Sequence, residues 1–158
     1  MTGQDLIDFA DKHVTRNEDN KAWTLSKYQR VIIALMFLKH YAIRLWSEPK
    51  KSGKTFLAAL VAVFYAMTRP NSEVVCLAND QEQAASRVFA TAVKIIEYNP
   101  DLKSSARCLA GEIRFTNGSV IKAMASDYKG AAGGRKCSLF LMSCGRMIPS
   151  ARCDCTRK

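Results

Sequence analysis

Apolar positions along this chain recur with a helical period in some stretches and with a strand period in others, and the switches between the two mark the elements. Residues 2–13 set Leu6, Ile7 and Phe9 among acids, the pattern of a short amphipathic helix. "TRNEDNKAW" (15–23) is polar and reads as a loop. Thr24 or Ser26 can cap the next helix, which carries Tyr28, Val31, Ile32, Leu35, Met36 and Leu38. Its run "VIIALMFL" (31–38) predicts a nearly continuously buried segment, and "FLAALVAVFYAM" (56–67) predicts another. Both are shorter than the roughly 20 residues a membrane span needs, so buried helix faces are expected and no membrane segment. "AIRLW" (42–46) is short and apolar enough for a buried strand. A long helix should run from Gly53 to about Met67, stopped by "TRPNS".

"EVVCLAN" (73–79) is a β-branched run of the parallel-strand type. Asn79 or Asp80 can cap a helix reaching about Glu97, with Ala84, Ala85, Val88, Phe89, Ala92, Val93 and Ile96 at helical spacing. "NPDLKSSA" reads as a linker. "EIRFTNGSVIKAMAS" (112–126) alternates like a hairpin, and its Asn-Gly suits a tight type I′ turn. "DYKGAAGGRK" is a glycine-rich loop, and "CSLFLM" (137–142) begins as another apolar strand. Strand, helix, strand, helix, hairpin, strand predicts an α/β sheet of mostly parallel strands flanked by helices.

The strand-to-helix turn "RLWSEPKKSGKT" (44–55) carries the candidate chemistry. Binding a phosphate there needs backbone N–H groups aimed inward, a helix N-terminus behind them and a lysine long enough to reach the outer phosphates. It also needs a hydroxyl for magnesium. Ser52 belongs to this cofactor-binding loop, Gly53 would let the backbone approach the phosphate without a Cβ, Lys54 would reach the β- and γ-phosphates, and the Thr55 hydroxyl would ligate Mg²⁺. The implied ligand is Mg·ATP, and the fold class is then a P-loop NTPase-type sheet. Glu48 stands where such loops usually open with glycine, and a carboxylate would repel polyphosphate, so it is expected to point away. Lys50 and Lys51 add positive charge beside the γ-phosphate, where charge grows in the transition state. The bland alternative is a lysine-rich turn.

With this basic loop, "YQR" (28–30), "SEVVCLANDQEQAASRVF" (72–89) and "GSVIKAMASDYKGAAGGR" (118–135), residues 5–136 resemble the ATPase half of tailed-phage terminase large subunits, the DNA-packaging motors. The resemblance implies that Gln29 reads the adenine edge and that Tyr28 packs on the ring. The structural alternative is a core Tyr28 and a surface Gln29. It also implies that Lys50 or Lys51 senses the γ-phosphate, and that "ANDQEQA" couples nucleotide state to DNA. The partners it implies are double-stranded DNA, a terminase small subunit and a portal protein, in the cytoplasm of a host cell. The opening "MTGQDLIDFADKH" is polar and acidic where a secretory signal would be basic and then apolar, which fits a cytoplasmic protein. A metal-dependent nuclease follows the ATPase in that family, and nothing after residue 136 resembles it.

Composition changes the picture near the end of the chain. The net charge is +10, which suggests a polyanionic partner, and hydrophobic content of 48% argues for a packed core. From Arg135 to Lys158 there are six basic residues against Asp154 alone, which is +5 of that +10. Cys137, Cys144, Cys153 and Cys155 crowd the same segment, at spacings that match no common zinc pattern. An ATPase of the implied class needs a strand ending in Asp-Glu, the Asp for Mg²⁺ and the Glu for the attacking water. "SLFL" is where that strand should stand, yet no acid follows until Asp154, so no catalytic residue is identified.

Back-translation from Phe140, read in a shifted frame, yields F-D-E-L-W-A-D-D-S-E-R-A-L-R-L-Y-E. Some of this is forced: Met142 ends in G, an AGT or AGC serine then gives Glu, and Met147 before Ile148 gives Asp. The expectation is a terminase-like ATPase domain over 1–136 and an out-of-frame tail over 137–158, defective in hydrolysis. The rival expectations are a basic nucleic-acid-binding module and a helicase-like ATPase.

Overall fold

The computed structural model describes residues 2–38, 46, 52–78, 84–125 and 139–143. Helix α1 spans Gly3–His13 and is opened by Thr2, whose hydroxyl accepts the Asp5 N–H while the Asp5 carboxylate takes the Thr2 N–H. Helix α2 spans Lys27–Phe37 and is capped by Ser26. The two helices pack closely: a Cβ on Gly3 would stand 2.9 Å from the Ala34 Cα. Arg30 adds a two-pronged ion pair to Asp11, at 2.9 and 2.7 Å. The burial expected of 31–38 is corrected here. Of that run only Ile33 is buried, and Val31, Leu35 and Leu38 are each more than half exposed. One narrow stripe of α2 meets α1, and the apolar residues outnumber the positions that stripe can cover.

Helix α3 spans Lys54–Thr68, and nine of its residues are buried, from Phe56 to Ala66. It packs against strand β1 (Glu73–Ala78), strand β4 (Val120–Ala125), strand β5 (Leu139–Ser143) and helix α4 (Ala84–Tyr98). Helix α4 buries Val88, Phe89, Ala92, Ile95 and Ile96. Short helix α5 (Pro100–Lys103) and strand β2 (Ala106–Cys108) occupy the stretch read as a linker, where Pro100 at the first helical position and Leu102 in the core stabilise a single turn. Strand β3 (Glu112–Phe115) completes a five-stranded sheet in the order β2-β3-β4-β1-β5.

The sheet is mixed. Strands β4, β1 and β5 are parallel, with Val74 beside Ile121 on one side and Leu139 on the other. Strands β2, β3 and β4 are antiparallel. The expectation of mostly parallel strands therefore holds for the three-strand half under α3 and gives way to a meander in the other half. The hairpin between β3 and β4 stands as expected, but its turn does not. The Gly118 N–H donates to the Phe115 carbonyl, and in this turn Gly118 alone takes positive φ, at 81°. A type I′ turn would need positive φ at Asn117 too, so this is a longer loop closed by a left-handed glycine. "AIRLW" before Trp46, the caps Asn79 and Asp80, and "DYKGAAGGRK" lie outside the described residues.

Two side chains fix the direction of α3. The Asn117 amide donates to the Ala66 and Met67 carbonyls at 2.8 and 3.0 Å, and the Ser119 hydroxyl donates to the Arg69 carbonyl at 2.6 Å. The carboxyl end of α3 is thereby pinned beside the β3–β4 turn, where β4 begins. Only residues 69–72 separate α3 from β1. The helix must run antiparallel to β1 and β4, which sets its amino end, Gly53, over the carboxyl ends of the parallel strands.

A third polar side chain joins the amino-terminal loop to α4. Asn99 is 1% exposed; its Oδ1 accepts the Thr15 and Arg16 N–H groups at 2.8 and 3.0 Å, and its Nδ2 donates to the Arg16 and Ile95 carbonyls. Asn99→Ala strands all four groups, and a buried unpaired polar group costs about 1–3 kcal/mol. With water reaching part of the loop, the loss should be about 2–3 kcal/mol, read as a lowered urea midpoint at unchanged slope. An unmoved midpoint would show that the loop is held without this residue.

Candidate functional site

The site is built where the amino ends of α2 and α3 meet. Gly53 stands immediately before α3 with φ 85° and ψ 13°, a left-handed conformation that a residue with a Cβ adopts only at a cost. Gly53 has no side chain, so the N-cap residue itself offers no side-chain cap. The first intrahelical bond runs from the Leu57 N–H to the Gly53 carbonyl at 3.1 Å, which leaves the N–H groups of the first turn without an intrahelical acceptor. Gly53 and Thr55 are exposed, while Ser52 and Lys54 are half-buried. The Lys54 ammonium donates to the Ser52 hydroxyl at 3.3 Å, which folds the lysine back toward the residues preceding the helix. Oriented N–H groups, an exposed hydroxyl at Thr55 and a lysine ammonium together form an anion-binding arrangement.

Helix α2 reaches this place through the Ser26-x-x-Gln29 capping box. The Ser26 hydroxyl accepts the Gln29 N–H at 3.2 Å, and Gln29 Oε1 accepts the Ser26 N–H at 3.0 Å. The other end of the carboxamide faces α3: Gln29 Nε2 lies 3.4 Å from where a Cβ on Gly53 would stand. Trp23 packs on Phe56, ring centroids 4.5 Å apart, and so holds the segment before α2 against the first turn of α3. Tyr28 is 58% exposed, which corrects the alternative that made it a core residue with Gln29 at the surface; Gln29 is the half-buried one.

Of the residues anticipated, Ser52, Gly53, Lys54, Thr55 and Gln29 are gathered at one point, and Tyr28 stands one residue before Gln29. Lys50 and Lys51 lie outside the described residues. Sequence reasoning missed the joint action of Ser26 and Gln29, although the Ser-x-x-Gln spacing is a helix-start signature. It also missed Trp46, whose indole N–H is buried without an acceptor.

The body cysteines offer no competing chemistry. Burial pushes the Cys76 thiol up to about 12 and raises Cys108 as well, so both stay protonated at neutral pH. Among the described residues no cluster of His, Cys, Asp or Glu could hold a metal ion, and no helix is long and apolar enough to cross a membrane.

No protein-family model matches the chain, and a search of curated proteins returns no match. Among solved structures the fold is similar to that of the HK97 bacteriophage large terminase, with a TM-score of 0.76 and 23% sequence identity. The match covers 90% of this chain and 31% of that one, so the chain spans about a third of its length. The Thermus phage P74-26 large terminase ATPase domain aligns over 74% of this chain and 57% of that one at 18% identity. Its TM-score of 0.48 is too low to add to the argument.

Proposed function

We propose that this chain is the nucleotide-binding part of a terminase-like ATPase, the kind of motor that drives double-stranded DNA into a procapsid. One observation carries the reading: Gly53, Lys54 and Thr55 open a buried helix at the carboxyl ends of three parallel strands. That is the end of an open α/β sheet where ligands bind. The fold likeness to a phage large terminase supports it.

The residues fit Mg·ATP. The N–H groups of the first turn of α3 would hold the phosphate oxygens, and Gly53, lacking a Cβ, lets them approach. Lys54 would exchange its bond with the Ser52 hydroxyl for the β- and γ-phosphates. Thr55 would ligate Mg²⁺ through its hydroxyl, and the metal would offset charge on the transferring phosphoryl group. Lys50 and Lys51 would add charge at the γ-phosphate, and Tyr28 and Gln29 would flank the nucleotide from α2. The basic surface implied by the +10 net charge would contact the DNA backbone in a salt-dependent way. A terminase small subunit and a portal protein would be its partners, in a host cytoplasm.

This reading includes the tail. Residues 137–158 would be an out-of-frame ending, and restoring the frame from position 140 puts Asp at 141 and Glu at 142. Support comes from the sheet register, in which positions 141 and 142 pair with Cys76 and Leu77 near the carboxyl end of β1. Acids there would stand at the same end of the parallel strands as Gly53, with consecutive residues on opposite faces. The present chain should bind nucleotide and hydrolyse it poorly.

Two experiments test these claims separately. Lys54→Ala should weaken Mg·ATP binding by about tenfold or more in a calorimetric titration, the loss of a charge-assisted pair worth about 1.4 kcal/mol. Equal affinity in both proteins would reject the phosphate cradle. For the tail, restoring the reading frame in the gene should give clear Mg²⁺-dependent turnover where the present chain is at background. Loss of a group that activates water typically costs about 10²- to 10⁴-fold in rate. Robust turnover by the 158-residue chain would contradict the frame argument.

A further inference from the structure

Among the described residues five large apolar side chains are exposed, and four of them stand on one helix. They are Tyr28, Val31 and Leu35 of α2 and Leu38 at its carboxyl cap, 57% to 70% exposed. At about 100° per residue these four fall in one stripe, on the side of α2 opposite the buried Ile33. The stripe is held rigidly. The Ser26 capping box fixes its start, the Arg30–Asp11 pair ties the helix to α1, and Gly3 brings the two backbones close. It also carries no charge along its length. Lys27 and Arg30 are the only charged residues of α2; Lys27 stands before the stripe and Arg30 is turned to Asp11.

An uncharged stripe gives a polar or charged partner nothing to match, whereas its spacing matches itself. The steps from Tyr28 to Val31, Leu35 and Leu38 are three, four and three residues, the alternation of a two-helix seam. That series reads the same in either direction. Two copies laid antiparallel about a two-fold axis level with Ile33 would set Tyr28 against the partner's Leu38 and Val31 against the partner's Leu35. The antiparallel arrangement also opposes the two helix dipoles and sends the Lys27 ammonium groups to opposite ends. Four large side chains, each more than half exposed, leave roughly 500 Å² open on one copy, the size of a functional patch. A pair would bury about 1,000 Å², the least that a specific interface has to clear.

We infer that α2 is the seam of a homodimer, in which a second copy of this chain covers the stripe in antiparallel register. The contact is isologous, so it closes at two copies. Its small area makes it reversible, with a dissociation constant on the order of 10 μM. The seam does not depend on the phosphate cradle. Tyr28 lies at its end, and association is measured without nucleotide so that the proposed place of Tyr28 beside a base does not enter the result.

The test is analytical ultracentrifugation of the full chain from about 1 to 200 μM under reducing conditions, with far-ultraviolet circular dichroism to verify folding. The variants are Leu35→Glu and Val31→Lys, both at exposed helical positions. The unaltered chain should pass from monomer to dimer across this range. Each variant should weaken association by about tenfold or more, because a charge then faces an apolar partner. An equimolar mixture of the two should associate at least about threefold more tightly than either alone, since one lysine then meets one glutamate while a valine still meets a leucine. An unaltered chain that stays monomeric throughout would overturn the inference and leave the stripe to a different protein. Association that Leu35→Glu does not weaken would overturn it too, placing the contact on another face. A mixture no tighter than its components would reject the antiparallel register.

Discussion

The constraint on which the rest depends is the burial of α3 antiparallel to the strands beneath it. A helix with nine buried residues needs cover on nearly every side, and β1, β4, β5 and α4 supply it. Its carboxyl end is tied down by Asn117 and Ser119, so its amino end has one place left to go, over the carboxyl ends of the parallel strands. The first-turn N–H groups at that end have no intrahelical acceptor, and Gly53 at the N-cap has no side chain to offer one. A capping Ser or Asp needs extended backbone, and position 53 is left-handed, so glycine is the residue that fits there.

Much of this was legible in the residues. The apolar pattern of 2–13, the cap offered by Thr24 or Ser26, and the helical spacing from Ala84 to about Glu97 predict three helices close to where they stand, and the β-branched run at 73–79 predicts the central strand. Gly-Lys-Thr ahead of a long apolar run predicts where α3 begins. What misled was apolar density without a partner. "VIIALMFL" reads as core, yet among the described elements α2 packs chiefly on α1 through one stripe, and sequence alone does not count the neighbours available. The turn at Asn117–Gly118 misled in another way, because Asn-Gly marks a reversal without fixing its length. The strand β2 was invisible, since its three residues carry no alternation and exist only by pairing with β3.

The site was legible in its parts and not in its assembly. Lys54 and Thr55 are the residue types that the proposed phosphate and magnesium contacts require, at the positions that require them. Gln29 is separated from Gly53 by 23 intervening residues, and its orientation depends on a backbone N–H at Ser26. Motif reasoning assigns such a residue a role by analogy, and the fold is what brings it beside Gly53.

The most direct test of the account is amide hydrogen exchange on the unaltered chain with and without Mg·ATP, resolved to the residue along α3. N–H groups at a helix start, which have no intrahelical acceptor, exchange faster than those of the buried interior of α3, which is protected either way. The account predicts that Mg·ATP slows exchange at 53–56, by at least tenfold, and leaves the carboxyl end of α3 unchanged. Protection spread evenly over the domain, or protection that spares 53–56, would contradict the claim that the open start of α3 is where the nucleotide is held.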